Sequence, residues 1–383
     1  MVVTDRQDMA RALTEQMTNT YELLRDDQRL EYDSSLLKSF VLEASVADPR
    51  DSQSARSLFD LVLRETAGRT IAATAHDTED PTLVRAQAIV DERQMEVFVD
   101  IAEPRYWVLH SMAPSGDLGR LIDRWAGHSR LDKAWLPADL LESLSRLGAF
   151  RGLGLSYDRR PIDGEAAEDD EETPISFLKV QLWGNQAASV LDVLRAANAF
   201  PGETTLSKVR VRFEMDDPAL FTLDDIKFDG KITARGTSFA SHLALIDRVL
   251  NPYSRAIADI EARFRLNKLG PDSSSVHGEP LFVQLERPIA DLDLFCRRVF
   301  SGGNPFRLWG VPIRQTVKVV RVSAVDLHVS RPVAFEVSRD FIRVFLSDRS
   351  CGNSVMRFYT NLQHYYSSLV SVTGGAGERV FDF

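Results

Sequence analysis

Cysteine is nearly absent from this chain of 383 residues, which contains only Cys296 and Cys351. Small disulfide-stabilised scaffolds depend on several paired cysteines, and structural zinc sites depend on closely spaced Cys and His ligands. Two isolated cysteines therefore argue against both a disulfide-stabilised scaffold and a structural zinc site. Cys296 lies on the apolar side of a predicted helix, so we expect it to be a core residue.

Long apolar runs and a leader sequence are also missing. The longest apolar runs are far too short to span a bilayer, and the first residues lack the basic, apolar and small-residue order of a signal peptide. With 44% hydrophobic and 27% charged residues, the composition is typical of a soluble globular protein. We therefore expect a cytoplasmic protein that does not bind a membrane.

Lysine is scarce, since the 46 basic residues comprise 38 Arg and 8 Lys. This excess of Arg over Lys indicates a GC-rich genome and favours a bacterial source. The net charge of −10 opposes non-specific nucleic-acid binding, which depends on neutralising phosphates. A local basic face remains compatible with that total charge.

Motifs for metals, cofactors and catalysis are missing as well. The seven histidines show neither HExxH nor HxH spacing, and there is no Walker motif. The glycines of residues 151–156 lead into a predicted strand instead of a helix, which indicates a turn and not a phosphate site. Ser111 and His110, with Asp117 nearby, are the only triad-like group, but neighbours on a strand point to opposite faces. We therefore predict no metal, no cofactor and no catalytic residues.

What the sequence does contain is a stretch that occurs twice, beginning at Glu103 and again at Glu279. Each copy predicts a strand, a helix, several antiparallel strands and a second helix. The offset between copies changes only between elements, as loop insertions would produce. The matched pairs are Asp117 with Asp291, Leu118 with Leu292, Leu121 with Phe295, Arg124 with Arg298, and Trp135 with Trp309.

We therefore predict an α+β fold with tandem duplicated units after an N-terminal helical segment. This order of elements is similar to that of the TATA-binding-protein-like fold, whose paired units form a curved sheet, although no residues match. The predicted organisation is an N-terminal helical segment (1–68), a first α+β unit (69–203), a connecting β-α-β region (204–272), a second α+β unit (273–372) and a flexible tail (373–383).

The N-terminal segment predicts three helices, over residues 4–25, 34–44 and 51–65. Their order does not indicate a helix-turn-helix, because the first connection is long and acidic and the third helix lacks a basic cluster. The first helix has an apolar stripe that either docks on its own domain, which the short stripe favours, or contacts a partner. The stripe residues that would contact a partner are Met9, Leu13, Met17 and Tyr21.

Residues 163–172 form an acidic run in a predicted loop. A block of like charges repels itself and cannot be buried, so a solvated loop is the simpler interpretation. The alternative is an acidic arm that contacts a basic partner or mimics nucleic acid.

Two further groups of residues are candidates for function. Cations on one face of predicted strands either bind nucleic acid or pair with Asp and Glu at the surface; they are Lys179, Lys208, Arg210, Arg212, Arg263, Arg265 and Arg343. Matched residues of the two copies would line a ligand pocket between them; they are His110, Asp117, Arg124, Trp135, Asp291, Arg298 and Trp309. The two matched tryptophans, Trp135 and Trp309, are expected to be buried structural anchors.

Three functions remain in consideration. The first is a non-catalytic interaction or scaffold subunit of a bacterial multi-protein assembly, of an accessory or defence type, with a protein partner or a second copy. The second is nucleic-acid binding across a basic sheet face. The third is an enzyme or small-molecule binder with its site between the duplicated units.

Overall fold

The computed structural model describes residues 3–27, 36–48, 50–163, 175–197, 202–268 and 275–383. It separates into two compact units, each assembled from three segments of the chain. Unit 1 comprises residues 1–134, 145–150 and 210–249, and unit 2 comprises residues 135–144, 151–209 and 250–383.

Helices and strands alternate irregularly along the described residues. The helices are α1 (Arg6–Asp27), α2 (Ser52–Thr66), α3 (Ser115–Ala126), α4 (Ala138–Leu144), α5 (Arg160–Asp163), α6 (Ala187–Ala197), α7 (Phe239–Phe264), α8 (Leu292–Val299) and α9 (Gly352–Tyr365). The strands are β1 (Leu37–Ala44), β2 (Ile71–Asp77), β3 (Leu83–Val90), β4 (Arg93–Asp100), β5 (Tyr106–Ser111), β6 (Leu131–Lys133), β7 (Ala149–Asp158), β8 (Phe177–Trp183), β9 (Thr205–Glu214), β10 (Phe221–Lys227), β11 (Lys231–Gly236), β12 (Arg265–Lys268), β13 (Val276–His277), β14 (Leu281–Gln284), β15 (Leu308–Arg314), β16 (Val320–Asp326), β17 (Arg331–Val337), β18 (Phe341–Ser347) and β19 (Ser371–Thr373).

Unit 1 is organised around an antiparallel sheet in which seven strands follow the order β2-β3-β4-β5-β1-β11-β10. Strand β1 lies in the interior of the sheet between β5 and β11. Its Ser39 lies opposite His110 of β5, and its C-terminal end also pairs with β6. All eight residues of β1 are buried, because helices cover both faces of the sheet.

The two faces of this sheet hold separate apolar cores. On one face, Phe59 of α2 makes edge-to-face contacts with Trp107 and Trp125 at centroid distances of 5.8 and 5.4 Å. On the other face, α1 packs its apolar stripe against the first turn of α7. The buried residues of this second core are Val3, Met9, Leu13, Met17, Leu37, Leu83, Phe98, Ala234 and Phe239.

The second predicted helix, over residues 34–44, is wrong, because residues 37–44 form strand β1. Its apolar residues fit a helical stripe, but short apolar runs are equally typical of a strand buried on both faces. The third predicted helix is confirmed as α2, where the Asp51 side chain accepts hydrogen bonds from the backbone N–H groups of Gln53 and Ser54.

Unit 2 contains a second antiparallel-rich sheet in the order β13-β12-β18-β17-β16-β15, with β14 paired to both β18 and β19. One face is apolar and covered by α8 and α9, as the ring contacts of Phe335 with Phe300 (4.8 Å) and Phe358 (5.3 Å) illustrate. Strands β7 and β8 pair antiparallel within unit 2.

Helix α9 is buried from Gly352 to His364 although it carries many polar residues. Arg357 and Asp326 form an ion pair with no exposure of either side chain, and Arg357 Nε also donates to the carbonyl of Phe306 at 2.7 Å. Burial alone would raise the pKa of Asp326, but the charge of Arg357 and a hydrogen bond from Ser354 hold it below the usual value. The charges therefore stabilise each other inside the unit.

The predicted α+β class with an N-terminal helix is confirmed. The second predicted copy shows its expected order, with Asp291 capping α8 between β14 and β15, whereas the duplication itself stays a prediction. Apart from Asp163 at the end of α5, the acidic run 163–172 lies outside the described residues. At the predicted tail, Phe381 is buried and stacks on Tyr359. Within the described chain, no helix is both long and apolar enough to cross a bilayer.

Candidate functional site

An apolar stripe runs along the edge strand of the unit 2 sheet, and we call it the β15 stripe. Alternate residues of a strand share one face, so the side chains at 309, 311 and 313 point away from the buried face of the sheet. Their exposed fractions are 55% for Trp309, 51% for Val311 and 55% for Ile313. Val317 lies three residues beyond the end of the strand and is 87% exposed. Large apolar side chains are rarely exposed in such a row.

The position of the Trp309 indole is set by its neighbours. Gly302 has a φ of +83°, and a Cβ at that residue would lie only 3.3 Å from Cδ1 of Trp309. The indole therefore lies against a turn that glycine makes accessible. On its other side, β16 places Val325 directly opposite Trp309. The ring is supported on two sides and open to solvent above.

The outer edge of β15 is paired only over its first half. The backbone N–H of Gly310 donates to the carbonyl of Phe300, and Leu308 accepts from Gly302. Residues two apart on a strand direct their backbone groups to the same side, so Pro312 occupies the next outward-facing position. Proline has no N–H, and the outer edge therefore lacks a donor at that point.

Basic side chains surround the β15 stripe. Arg321 lies opposite Ile313 on β16 and is exposed, as is Lys318 in the turn. Neither has an ion-pair partner among the described residues. Arg314 pairs with Asp293 at 2.6 Å, and both side chains remain largely exposed. The rim thus carries three basic side chains, together with Asp293 and with Glu336, which lies opposite Arg321 on β17.

A second candidate site is a buried hydrogen-bonded network in unit 1. Ser39 Oγ lies 2.7 Å from His110 Nδ1 and 2.7 Å from His242 Nε2. His242 Nδ1 lies 2.6 Å from Oδ1 of Asp224. The four side chains come from β1, β5, α7 and β10, and none of them is exposed. Asp224, His242 and Ser39 thus have the order of contacts found in a Ser-His-Asp triad.

The network lies under the apolar core formed by α1. Phe239, one turn before His242 on α7, contacts the His110 ring edge to face at a centroid distance of 5.1 Å. Burial, the neighbouring His242 and Arg6 all lower the pKa of His110 well below its usual range. His110 is therefore neutral in the folded protein.

Unit 2 also contains a polar cavity of about 250 Å³ beside α4 and α9. Its wall includes Asp139, which accepts hydrogen bonds from Tyr359 Oη at 3.1 Å and Gln363 Nε2 at 3.2 Å. Burial and the Asp139 charge raise the pKa of Tyr359 well above its usual value. Tyr359 is therefore a hydrogen-bond donor here and not an acid or base near neutral pH.

The predicted basic faces are mostly paired with acidic groups. The clearest pairs are Arg343 with Glu336 at 3.1 Å and Arg265 with Glu261 at 2.9 Å. The remaining predicted cations either contact a carboxylate or a ring, or are exposed: Arg210 contacts Asp225, Arg212 contacts Glu214, Arg263 contacts Glu378, Lys208 lies 4.3 Å from the centre of the Trp183 ring, and Lys179 is exposed on β8.

The candidate pocket residues of unit 1 do not share partners. His110 belongs to the Ser39 network, whereas Asp117 accepts hydrogen bonds from Arg93 and Arg120, and Arg124 Nε donates to the carbonyl of Thr66 at 2.9 Å. Of these three residues, only His110 belongs to the buried network of Ser39, His242 and Asp224.

The candidate pocket residues of unit 2 differ in exposure. Trp135 is buried, as expected for a structural anchor, and Arg298 is exposed on α8. The expectation that Trp309 is also a buried anchor is wrong, because its side chain is 55% exposed. Trp309 lies on the open side of an edge strand, where none of the described helices covers it.

The residues predicted to contact a partner lie within unit 1. Met9, Leu13 and Met17 are buried in the core that includes Phe239, and Tyr21 contacts Phe221 edge to face at 5.2 Å. This placement matches the interpretation in which the N-terminal helix docks on its own domain.

Sequence reasoning missed Ser39, Asp224 and the partnership of His242 with both. Ser39 was assigned to a helix, where it would not face His110, and no local motif connects the four residues. The register between β1 and β5 places Ser39 opposite His110, and that register depends on the folded sheet.

Comparison with known proteins places the whole chain in one family. The model of the MJECL33-like protein family matches residues 1–381. The uncharacterized protein MJECL33 of the archaeon Methanocaldococcus jannaschii is 26% identical over 403 residues, which cover 96% of this chain and 93% of that protein. An archaeal relative gives no support to the bacterial source predicted from arginine usage. The match extends through both units, and the chain belongs to the MJECL33-like protein family.

Proposed function

We propose that this chain is an interaction protein that binds a protein partner through the β15 stripe. The exposure of the stripe supports this most directly, since Trp309, Val311, Ile313 and Val317 are each more than half exposed. A contiguous apolar patch with a polar rim is typical of a protein contact site. A subunit of a multi-protein assembly would need such a surface.

The chemistry of the stripe indicates what the partner presents. Three apolar side chains at alternate positions fit an extended segment or a helix face that carries its own apolar residues. Arg314, Lys318 and Arg321 surround them, so acidic groups at the edge of the partner segment would be attracted. Trp309, which is held between Gly302 and Val325, is the expected anchor, because rigid tryptophans contribute strongly to binding.

Nucleic acid fits this surface less well. Single strands bind proteins through several aromatic rings and a continuous cationic track. The stripe has one aromatic ring beside three aliphatic side chains, and most of the predicted cations already contact carboxylates. A protein partner is therefore the better proposal.

The test places a photo-crosslinking amino acid at Val311 and, as a matched control, at Val193, an exposed apolar residue of α6. We expect one stoichiometric protein adduct in native-host cells at position 311 and none at position 193. The adduct should disappear when Trp309 and Ile313 are both replaced by serine. Equal crosslinking at both positions, or an adduct with nucleic acid, would contradict the proposal.

The charge of the partner is tested with the purified complex. Replacing Lys318 and Arg321 by glutamate should weaken binding by about tenfold or more at low salt, and the loss should shrink at high salt. Arg349→Glu, an exposed change away from the stripe, serves as the control. An unchanged affinity would show that the partner does not carry the acidic groups proposed.

A further inference from the structure

The buried network of unit 1 has an order of protons that follows from its geometry. A carboxylate only accepts hydrogen bonds, so His242 carries a proton on Nδ1, which faces Asp224. Ser39 has one hydroxyl proton and contacts two ring nitrogens, so it can donate to only one of them, and donation to His242 Nε2 is the arrangement of a serine triad. His110 Nδ1, also 2.7 Å from Ser39 Oγ, must therefore donate to that oxygen.

This assignment aims the serine hydroxyl at a base. His242 is oriented by Asp224 and positioned to take the Ser39 proton, which are the roles of the base and its orienting carboxylate in a nucleophilic serine site. His110 is a positioning residue, because its N–H fixes the rotation of the hydroxyl. None of these roles requires residues outside unit 1.

A purely structural network would be expected to satisfy its buried polar atoms. Here His110 Nε2, Asp224 Oδ2 and Thr222 Oγ1 have no hydrogen-bond partner among the described residues. Thr222 lies two residues before Asp224 on the same face of β10, and both side chains are fully buried. Each buried polar atom of this kind needs an explanation, and a catalytic role is one that the triad-like geometry supplies.

Helix α1 covers this network. It is held in place by polar contacts of Arg6 and by its apolar stripe. Arg6 Nε lies 3.0 Å from Asp80, and Arg6 Nη2 donates to Thr82 at 2.9 Å and to Asp100 at 3.0 Å. Further along the helix, Met9, Leu13 and Met17 pack in the core that contains Phe239. Displacement of α1 would uncover Phe239, which lies against the His110 ring.

We infer that Ser39, His242 and Asp224 form a latent serine nucleophile for small carboxylic esters, covered by α1. Ser39 Oγ attacks the ester carbonyl carbon as its proton passes to His242 Nε2. The C–O bond to the alcohol breaks, and the alcohol leaves with that proton. Water then attacks the acyl-serine, gives a proton to His242, and releases the carboxylic acid as Ser39 regains its proton. This activity goes beyond the proposed interaction surface, since it uses unit 1 alone.

The experiment measures covalent labelling by a fluorophosphonate, a probe that reacts with activated serines, in the full-length chain. Increasing urea below the unfolding midpoint raises local opening, which amide hydrogen exchange of α1 reports in the same samples. We expect labelling to rise with α1 exchange and then to fall when the whole chain unfolds, because unfolding separates the three residues. Arg6→Ala should label about tenfold faster than wild type without urea, because it removes the charged anchor of α1.

Variants assign the reaction to its residues. Mass spectrometry should locate the adduct on Ser39, and Ser39→Ala should abolish it. Asp224→Asn should slow labelling by at least about a hundredfold. Ser111→Ala is the matched control, because Ser111 is a buried serine on the neighbouring strand that donates to the carbonyl of Glu96 and not to a histidine; it should label like wild type.

The decisive condition is a urea concentration at which amide exchange of α1 in the wild-type chain is tenfold faster. The inference is overturned if the wild-type chain is then labelled no faster than Ser39→Ala. It is also overturned if labelling only rises as the chain unfolds completely. The labelling test uses residues of unit 1 and the crosslinking test uses residues of unit 2, so the two tests succeed or fail independently.

Discussion

Ser39 Oγ lies 2.7 Å from Nε2 of His242, although 203 positions separate the two residues in the chain. The contact forms because β11 pairs with β1 and leads directly into α7, whose first turn carries His242. The same sheet carries Asp224 on the neighbouring strand β10. A sheet in which β1 lies between β5 and β11 thus brings three distant segments to one point.

The two matched tryptophans should respond differently to truncation. Trp135→Ala should lower the free energy of unfolding by about 3–5 kcal/mol, because Trp135 is 7% exposed and its loss leaves a cavity. Trp309→Ala should cost less than about 1 kcal/mol, since most of the indole is already in water. Urea denaturation measures both. A large loss for Trp309→Ala would indicate a structural role and remove its role as a binding anchor.

The buried Arg357–Asp326 ion pair should be strongly sensitive to the loss of one partner. Arg357→Ala should destabilise the fold by about 3–5 kcal/mol, because it leaves the Asp326 charge buried and unpaired. The control is Arg349→Ala, which breaks an exposed pair with Asp348 and should change stability by less than about 1 kcal/mol. Denaturant unfolding of both variants checks the prediction, and equal effects would contradict it.

His110 should make unfolding depend on pH. Its pKa is well below 6.5 in the folded chain, because burial, His242 and Arg6 disfavour the charged ring. The unfolded chain therefore binds a proton below pH 6.5 that the folded chain does not. Stability should be complete above pH 6.5 and decline as the pH falls, by up to about 1.4 kcal/mol per pH unit from this residue.

The comparison for that pH dependence is His110→Gln, whose free energy of unfolding should decline less steeply between pH 7 and pH 5. The control is His76→Gln, the same substitution at an exposed histidine of β2. Equal slopes for wild type and His110→Gln would mean that His110 is charged in the folded state.

The two cysteines should resist thiol reagents until the chain unfolds. Burial raises the pKa of Cys296 to about 12, and Cys351 is also buried. The thiolate is the reactive form, so labelling of Cys296 near pH 8 should be about a thousandfold slower than for an exposed thiol. Iodoacetamide labelling with and without guanidinium measures the ratio. Rapid labelling of the folded chain would show that one of the helices beside these thiols opens.

Local patterns in the sequence were sufficient for some elements and not for others. Helix α2 was predictable because Asp51 caps an apolar stripe, and α8 because Asp291 does the same. Strand β1 was not, since a run buried on both sides has no alternation to distinguish it from a helix. Its wrong assignment also hid the Ser39 network, which needs the antiparallel register with β5.

The β15 stripe illustrates a different limit. Alternation of Trp309, Val311 and Ile313 shows that they share a face, but not which face is covered. Apolar residues normally indicate the buried side, and that rule led to the wrong expectation for Trp309. On the opposite face β15 carries Leu308, Gly310, Pro312 and Arg314, of which only Leu308 is buried, so this strand has little core side of its own.

Pro312 also limits how β15 can pair edge to edge with another strand. A strand edge with all of its donors can recruit an identical edge, and the new outer edge can recruit another, which is how polymers of indefinite length begin. At Pro312 the outer edge of β15 lacks one of these backbone N–H donors. The missing donor therefore opposes open-ended polymerisation through this edge, even though an apolar face is exposed beside it.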